Sequence, residues 1–395
     1  MIHLFINALA ASAGGGLTYV RNLVPAIGRR SDVRATVMVS SGLARQLPGF
    51  PNVAVQPADL SGTANRFWYE QTRLPREIKD AGADVLISAG NFALLRSPVP
   101  QILLSRNSLY TSADFMRDLR RRGDYRLWMD TLLKRRLARL SIERADCTIA
   151  PTEAFAAELS QWSGREVIAI HHGFDRDTFF GDTGPLPADV TAKLSTADDC
   201  LRLLFVSHYN YYRNFETLIR ALPALNSLLA PRPVNLFLTC KLRSEENPGD
   251  YQADGAGRLA KQTGLPNSVV ELGAVRYSAL HHLYRQCHVY ISPAYAESFA
   301  HPLVEAMASG LPVVASDLQV HREICGNAAR YFPVFSPEQL AKTVADVAAD
   351  ASLQRQMREA GLRRSQDFSW STHVDALVSR ARDLLSQNVS PKPKA

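Results

Sequence analysis

The chain has 395 residues, too many for one typical hydrophobic core, so two domains are expected. Its 46% hydrophobic and 21% charged content is that of a soluble globular protein and excludes a disordered or fibrous chain. A net charge of +7 and a pI near 9.2 point to an anionic partner, for which nucleoside diphosphates, membrane phosphates and nucleic acid all qualify.

The start, MIHLFINALAASAGGG, has an Ala-x-Ala look but no basic n-region, and His3 and Asn7 interrupt its apolar run. A first strand (Ile2–Ile6) feeding a Gly turn explains it better than a signal peptide. After Gly14-Gly15-Gly16, the apolar residues Leu17, Val20, Leu23, Val24 and Ile27 recur at helical spacing. Strand, glycines and helix make either a phosphate-approaching turn or an ordinary flexible βα loop, since G-x-G-x-x-G is absent.

Candidate strands Val33–Val39, Val53–Val55, Asp84–Ser88, Gln101–Leu104, Cys147–Ala150 and Val167–Ile170 then alternate with helical stretches. That order implies parallel βαβ units, whose ligands bind beyond the carboxyl ends of the strands. Gly90-Asn91, Arg106-Asn107 and Thr152-Glu153 occupy such places. Arg106 either holds an acceptor phosphate or hydroxyls, or pairs with Asp114 at the surface. In Phe67-Trp68-Tyr69-Glu70-Gln71 the aromatics are expected to pack a helix rather than to form a sugar platform. The segment Arg117 to Arg144 is rich in arginine, with Leu127, Trp128, Leu132, Leu133 and Leu137 interleaved. Two readings stand: an amphipathic helix on anionic lipid, or a solvated face paired locally by Asp118, Asp124 and Asp130. No nucleic-acid motif accompanies this charge, so nucleic acid is not an expected partner.

Gly181 to Asp199 mixes Gly, Pro, Thr and Asp and reads as a linker. The expected organisation is residues 1–180, a linker over 181–200, a second domain over 201–370, a closing helix over 371–387 and a disordered tail over 388–395. In the second domain Leu203–Val206, Val234–Thr239, Val269–Leu272, Val289–Ser292 and Val313–Ser316 read as strands. No stretch approaches the roughly 18 consecutive apolar residues of a membrane span. Cys147, Cys200, Cys240, Cys287 and Cys325 are scattered and lack C-x-x-C spacing, so reduced cytoplasmic thiols are expected rather than disulfides or zinc.

The most informative stretch runs from Ser292 to Pro312. It reads as a strand end, a loop and a short helix, with Pro302 at the helix start and Gly310 just past its end. N–H groups from Ser298 to Leu303 would face an anion at the helix N-terminus. Glu297 and Glu305 flank that site and are suited to accept hydrogen bonds from hydroxyls. Hydroxyl acceptors around a phosphate cradle describe a nucleotide sugar; for Glu305 alone, a plain capping carboxylate stays open.

Glu297-x7-Glu305, embedded as ESFAHPLVEAMASGLPVVASD, resembles the E-x7-E signature of retaining GT-B glycosyltransferases of family 4, glycosyl transferases group 1. The usual pattern has Gly where Ala300 stands. Ser207-His208 through Arg213-Asn214 resembles the V-G-R-x-x-x-x-K-N segment, and His171-His172-Gly173-Phe174-Asp175 the P-N-G-V-D turn. Gly273 to Arg276 resembles a base-cupping loop, Gly15-Gly16 the family's GG loop, and Trp68-Tyr69-Glu70-Gln71 its W-E-Q stretch. Arg106-Asn107 falls where members carry a His-Asp or similar pair.

The resemblance implies two Rossmann-like parallel-sheet domains facing across a cleft. It implies retaining sugar transfer from a nucleoside-diphosphate sugar to a hydroxyl of a glycan or lipid-linked acceptor. Bacterial surface polysaccharide assembly, in the cytoplasm or at the inner face of its membrane, would be the setting. Arg213 and His208 would stabilise the departing diphosphate, Glu297 the donor sugar and Glu305 the ribose. Gly15, Gly16, Ser207, Asn214, Val275, Ser298, Phe299, Ala300, His301 and Leu303 would line the donor, and Arg106 and Asn107 the acceptor. Neither a metal nor another cofactor is expected, because fixed cations take that role. The alternatives are a GT-B epimerase or phosphorylase, or a non-catalytic nucleotide-sugar-binding subunit; a dehydrogenase lacks its fingerprint.

Overall fold

A computed structural model describes residues 1–11, 14–195, 199–249, 251–265 and 268–389, with 388 and 389 by backbone alone. The Pro/Lys-rich tail lies outside the described residues from 390 onward. The alternating apolar runs build two parallel sheets. The first contains β1 (Ile2–Asn7), β2 (Val33–Val39), β3 (Val53–Pro57), β4 (Val85–Ser88), β5 (Gln101–Leu104), β6 (Cys147–Ala150) and β7 (Ile168–Ala169). Its spatial order is β3-β2-β1-β4-β5-β6-β7. The second contains β8 (Leu201–Phe205), β9 (Val234–Leu238), β10 (Val269–Glu271), β11 (Val289–Ser292), β12 (Val313–Ser316) and β13 (Ala329–Phe332), in the order β10-β9-β8-β11-β12-β13. Strand β13 was not among the expected strands: ARYF offers no apolar run, and its pairing with β12 supplies what the pattern lacks.

These sheets define two compact units. One comprises Met1–Thr111, Tyr125–Gly173 and the segment from Ser369; the other comprises Ser112–Asp124 and Phe174–Phe368. Residues 181–200, read as a linker, fall in the second unit and include a helix at Ala188–Ser195 that buries Val190 and Leu194.

Six helices position or border the candidate site residues: α1 (Gly14–Gly28), α2 (Ala113–Arg122), α3 (Tyr125–Arg144), α4 (Phe215–Leu228), α5 (His301–Ala308) and α6 (Trp370–Val389). Helix α6 places Trp370, Val374, Leu377, Val378, Ala381 and Leu384 in the core of the first unit beside Val20, Leu23, Val24 and Ile27 of α1. That spacing of three and four residues is the buried stripe of an amphipathic helix.

Two expectations need correction. The glycine triplet is not a loop: Gly14, Gly15 and Gly16 form the first turn of α1, with Gly14 at φ +55°. The basic segment is not one helix. Gly123, in the left-handed region at φ +71°, ends α2, and α3 starts two residues later. A glycine there is the usual stop signal for a helix. The two helices also belong to different units.

Candidate functional site

In each sheet the chain order reverses next to the first strand, so β1 lies between β2 and β4, and β8 between β9 and β11. Loops leaving the carboxyl ends of strands at such a reversal form the ligand crevice of open parallel sheets. In the second unit these are the loops after β8 and β11, which carry Arg213 and Glu297.

The loop after β8 runs into a single 3-10 turn at Tyr211–Arg213, and Asn214 adopts the left-handed conformation before α4 begins. Asn214 Nδ2 donates to the Pro293 carbonyl at 3.0 Å, and its Oδ1 accepts from Thr217 at 2.8 Å. The Tyr295 amide donates to the Tyr212 carbonyl at 2.9 Å. These bonds lace the two loops together and set Arg213 against Glu297 in a buried ion pair, Nη1 to Oε2.

Burial alone would raise the Glu297 carboxyl. The Arg213 guanidinium, the nearby His321 and the Ser298 amide outweigh it and hold the group below the usual carboxylate range. Burial would likewise lower Arg213, but the Glu297 charge outweighs that and holds it firmly protonated. The pair is therefore ionised at neutral pH.

Glu297 Oε1 accepts the Ser298 amide at 3.1 Å, and the Leu303 amide donates to Ala300 O at 3.0 Å. Two of the amides expected to face an anion thus have partners within the loop, and Pro302 has no N–H to offer. Helix α5 starts at His301, one residue ahead of Pro302.

Ala300, where the family pattern has glycine, sits at φ 67°, ψ 64°. The loop keeps the glycine conformation and bears the Cβ strain. An alanine there costs about 1–2 kcal/mol, whereas glycine loses about 0.4–1 kcal/mol more entropy on folding. Ala300→Gly is expected to raise stability by up to about 1 kcal/mol in urea unfolding, and a clear loss would show the position unstrained.

Glu305 lies on the first turns of α5 and is only 5% exposed. Its Oε2 accepts from the Tyr284 hydroxyl at 2.9 Å. Burial pushes its carboxyl up to about 7, against the pull of that hydrogen bond. Val275 is half-buried between β10 and the turn at Tyr277–Ala279. His208 is exposed, and among the described residues no hydrogen bond or ion pair joins its ring to the Arg213–Glu297 pair. Ser207 donates its amide to Thr239 Oγ1 at 3.0 Å.

Sequence reasoning did not find Tyr284 or the role of His321. His321 is fully buried; its Nδ1 lies 2.8 Å from the Ser316 carbonyl, and burial lowers its pKa although Glu297 partly opposes this. Its place just after the carboxyl end of β12 was the available signal.

Asp114, the candidate surface partner of Arg106, pairs with Arg117 in the second unit, and Arg106 makes its contacts within the first. Its guanidinium lies over the Tyr19 ring at 4.5 Å, and it donates to the Ala89 carbonyl and to Gly15 O at 3.5 Å. Arg106 is thus a clamp on the first turn of α1. Asn107 caps the short turn at Ser108–Tyr110, accepting the Leu109 amide at 3.1 Å. Of the aromatics at 67–69, Trp68 is 64% exposed and does not pack the core. Their neighbour Glu70 is the buried one, accepting from Asn7 at the end of β1 at 3.1 Å. His171 and His172 hold α6 in place: the His171 carbonyl lies 2.8 Å from His373 Nδ1, and His172 stacks on Trp370. Among the described residues no His/Cys/Asp/Glu cluster suits a metal ion, and no helix is long and apolar enough to cross a membrane.

Residues 13–178 match the Glycosyltransferase Family 4 family and residues 190–364 match Glycosyl transferases group 1. The chain belongs to the family 4 GT-B glycosyltransferases. Among its relatives, the D-inositol 3-phosphate glycosyltransferase of Streptomyces avermitilis is 27% identical over 240 residues, 60% of this chain and 51% of that protein. The serotype-specific mannosyltransferase WbdA of Escherichia coli is 23% identical over 261 residues, 62% of this chain and 30% of that protein. The chain thus spans about half the length of the first of these curated relatives and less of the second. HepE of Anabaena, solved in complex with UDP-glucose, shares the GT-B fold, with a TM-score of 0.71 and 17% identity over 97% of this chain and all of that one.

Proposed function

We propose that this glycosyltransferase moves a sugar from a nucleoside-diphosphate sugar to a hydroxyl of a glycan or lipid-linked acceptor, with retention at the anomeric carbon, in surface polysaccharide assembly at the cytoplasmic face of the membrane. The Arg213–Glu297 pair at the opening of α5 carries this reading. Arg213 has the planar fork that suits a diphosphate, and the helix N-terminus adds its partial positive charge. Charge building on the leaving group is where such fixed donors contribute most. Glu297, already engaged by Arg213, acts as a counter-charge to the developing positive carbon rather than as a nucleophile. In that route the bond from the anomeric carbon to the phosphate oxygen breaks. The acceptor oxygen bonds to the same face, and its proton passes to the departing phosphate. Glu305 holds ribose hydroxyls.

A thermal-shift screen against UDP-, GDP- and ADP-sugars tests this. Stabilisation by one nucleotide class, by about 2.7 kcal/mol at a hundredfold excess over Kd, is the expected result. No shift with any of them would overturn the reading.

Membrane contact falls on α3 in this reading. Its exposed side carries Tyr125, Met129 and Leu133 at successive turns, beside the exposed Arg126 and Arg136. An amphipathic face of that kind suits an anionic bilayer surface. Co-sedimentation with phosphatidylglycerol vesicles, lost in Met129→Asp/Leu133→Asp, is expected; a protein that stays in the supernatant excludes this contact.

A further inference from the structure

We propose that Asp118 and Arg122, at the carboxyl end of α2, are positioning residues that hold the Arg213–Glu297 pair in register for transfer. The inference rests on the transferase reading of that pair. Helix α2 is already anchored in the second unit by Phe115, Met116 and Leu119, which are buried. Apolar packing alone would dock it. Yet the side chains of Asp118, Arg122 and Glu216 are also partly withdrawn from water, at 21%, 25% and 13% exposed. Withdrawing charges costs desolvation that an apolar contact would not, and a fixed geometry is what such a network contributes in return.

The geometry shows what is fixed. Arg122 Nε donates to Asp118 Oδ2 at 3.0 Å, and Nη2 lies 2.9 Å from Glu216 Oε1. Nη1 donates to the Tyr209 hydroxyl at 3.4 Å, and the guanidinium lies 4.2 Å over the Tyr211 ring. Tyr209 in turn donates to Glu216 Oε1 at 2.7 Å. The fork is thus divided between Asp118 on α2 itself, the loop after β8 and α4, which a lysine could not do. The same Asp118 Oδ2 accepts from the Tyr295 hydroxyl at 2.8 Å. One carboxylate oxygen therefore receives α2's own arginine and a tyrosine from the loop after β11. Tyr211 stands two residues before Arg213, and Tyr295 two residues before Glu297. Both loops that carry the pair are braced against the same helix end.

Tyr295→Phe removes one hydroxyl and keeps the ring. It is expected to lower kcat roughly 10- to 100-fold, since small misplacements of reacting groups have effects of that size, while the donor KM stays within about threefold. In an Arg213→Lys background the same change should have less than about a twofold effect, because both act through one pair. A purely structural brace would lower the melting temperature and leave kcat per folded molecule unchanged. A kcat within about twofold of wild type, or a full effect persisting in the Arg213→Lys background, overturns the proposal. If Tyr295→Phe fails to fold, the isosteric Asp118→Asn is measured by the same criteria. Wild-type turnover in the same assay separates the two ideas: its absence defeats the transferase reading, and turnover insensitive to these variants defeats this inference alone.

Discussion

Glu297→Gln is expected to lower turnover by about 10²–10³-fold while tightening the binding of free nucleoside diphosphate by about tenfold. The opposite signs follow from the pair. Without donor, the positive charge of Arg213 is cancelled by Glu297 in a buried contact. A diphosphate must compete with that carboxylate for the guanidinium. Glutamine keeps the shape and removes the competitor, so the product anion gains a charge-assisted hydrogen bond. In the proposed mechanism the same substitution deletes the negative charge facing the developing positive carbon, so the transition state loses support that the ground state never used. Arg213→Ala should depress both turnover and diphosphate binding. Initial-rate kinetics and calorimetry with the free diphosphate read the two effects separately. Weaker diphosphate binding in Glu297→Gln would show that Arg213 is not masked. Leaving Arg213 buried without its partner costs about 3–5 kcal/mol of stability, so rates must be taken well below the lowered melting temperature.

The α5 stretch was legible because its features are local. A β-branched strand, a proline at a helix start and a glycine at its end each have a short-range physical cause, and β11, α5 and the left-handed Gly310 appear where those features place them. The central strands β1, β4, β5, β6, β11 and β12 were legible for a related reason: they are buried on both faces and show as continuous apolar runs. Strand β13, with the exposed Arg330, breaks that rule and escaped. What escaped in the site was set by distant pairing. Asp118 meets Tyr295 across 177 positions, and Tyr284 meets Glu305 from a neighbouring helix whose sequence, LHHLYRQ, gives no sign of an outward obligation. The direction of Arg106 depends on where α1 begins, and the glycine triplet conceals that start. Ala300 is the instructive mismatch: an alanine stands where the family pattern has glycine, yet it adopts the left-handed conformation that favours glycine.

Glu305→Gln is expected to stabilise the ligand-free protein at pH 8 by on the order of 3 kcal/mol and to abolish the thermal shift given by the donor. Burial pushes the Glu305 carboxyl up to about 7, well above its ordinary value. A group raised in this way binds more protons folded than unfolded. Its contribution is therefore fully present below the ordinary carboxylate pKa, declines as pH rises from there to about 7, and is gone above. Glutamine has no such slope and keeps an oxygen for the Tyr284 hydroxyl. The two proteins should melt together below the ordinary carboxylate pKa, near pH 4, and diverge progressively up to pH 8. Donor, which stabilises only the wild type, narrows that gap. In the proposed reading, ribose hydroxyls donate to the carboxylate, favour its ionised form and so expel a proton. Near pH 7, calorimetry in two buffers of different ionisation enthalpy should find about half a proton released on binding the nucleotide. If Glu305→Gln melts below wild type at pH 8 without ligand, the buried carboxyl is already charged and well solvated there, and proton release on binding has no source.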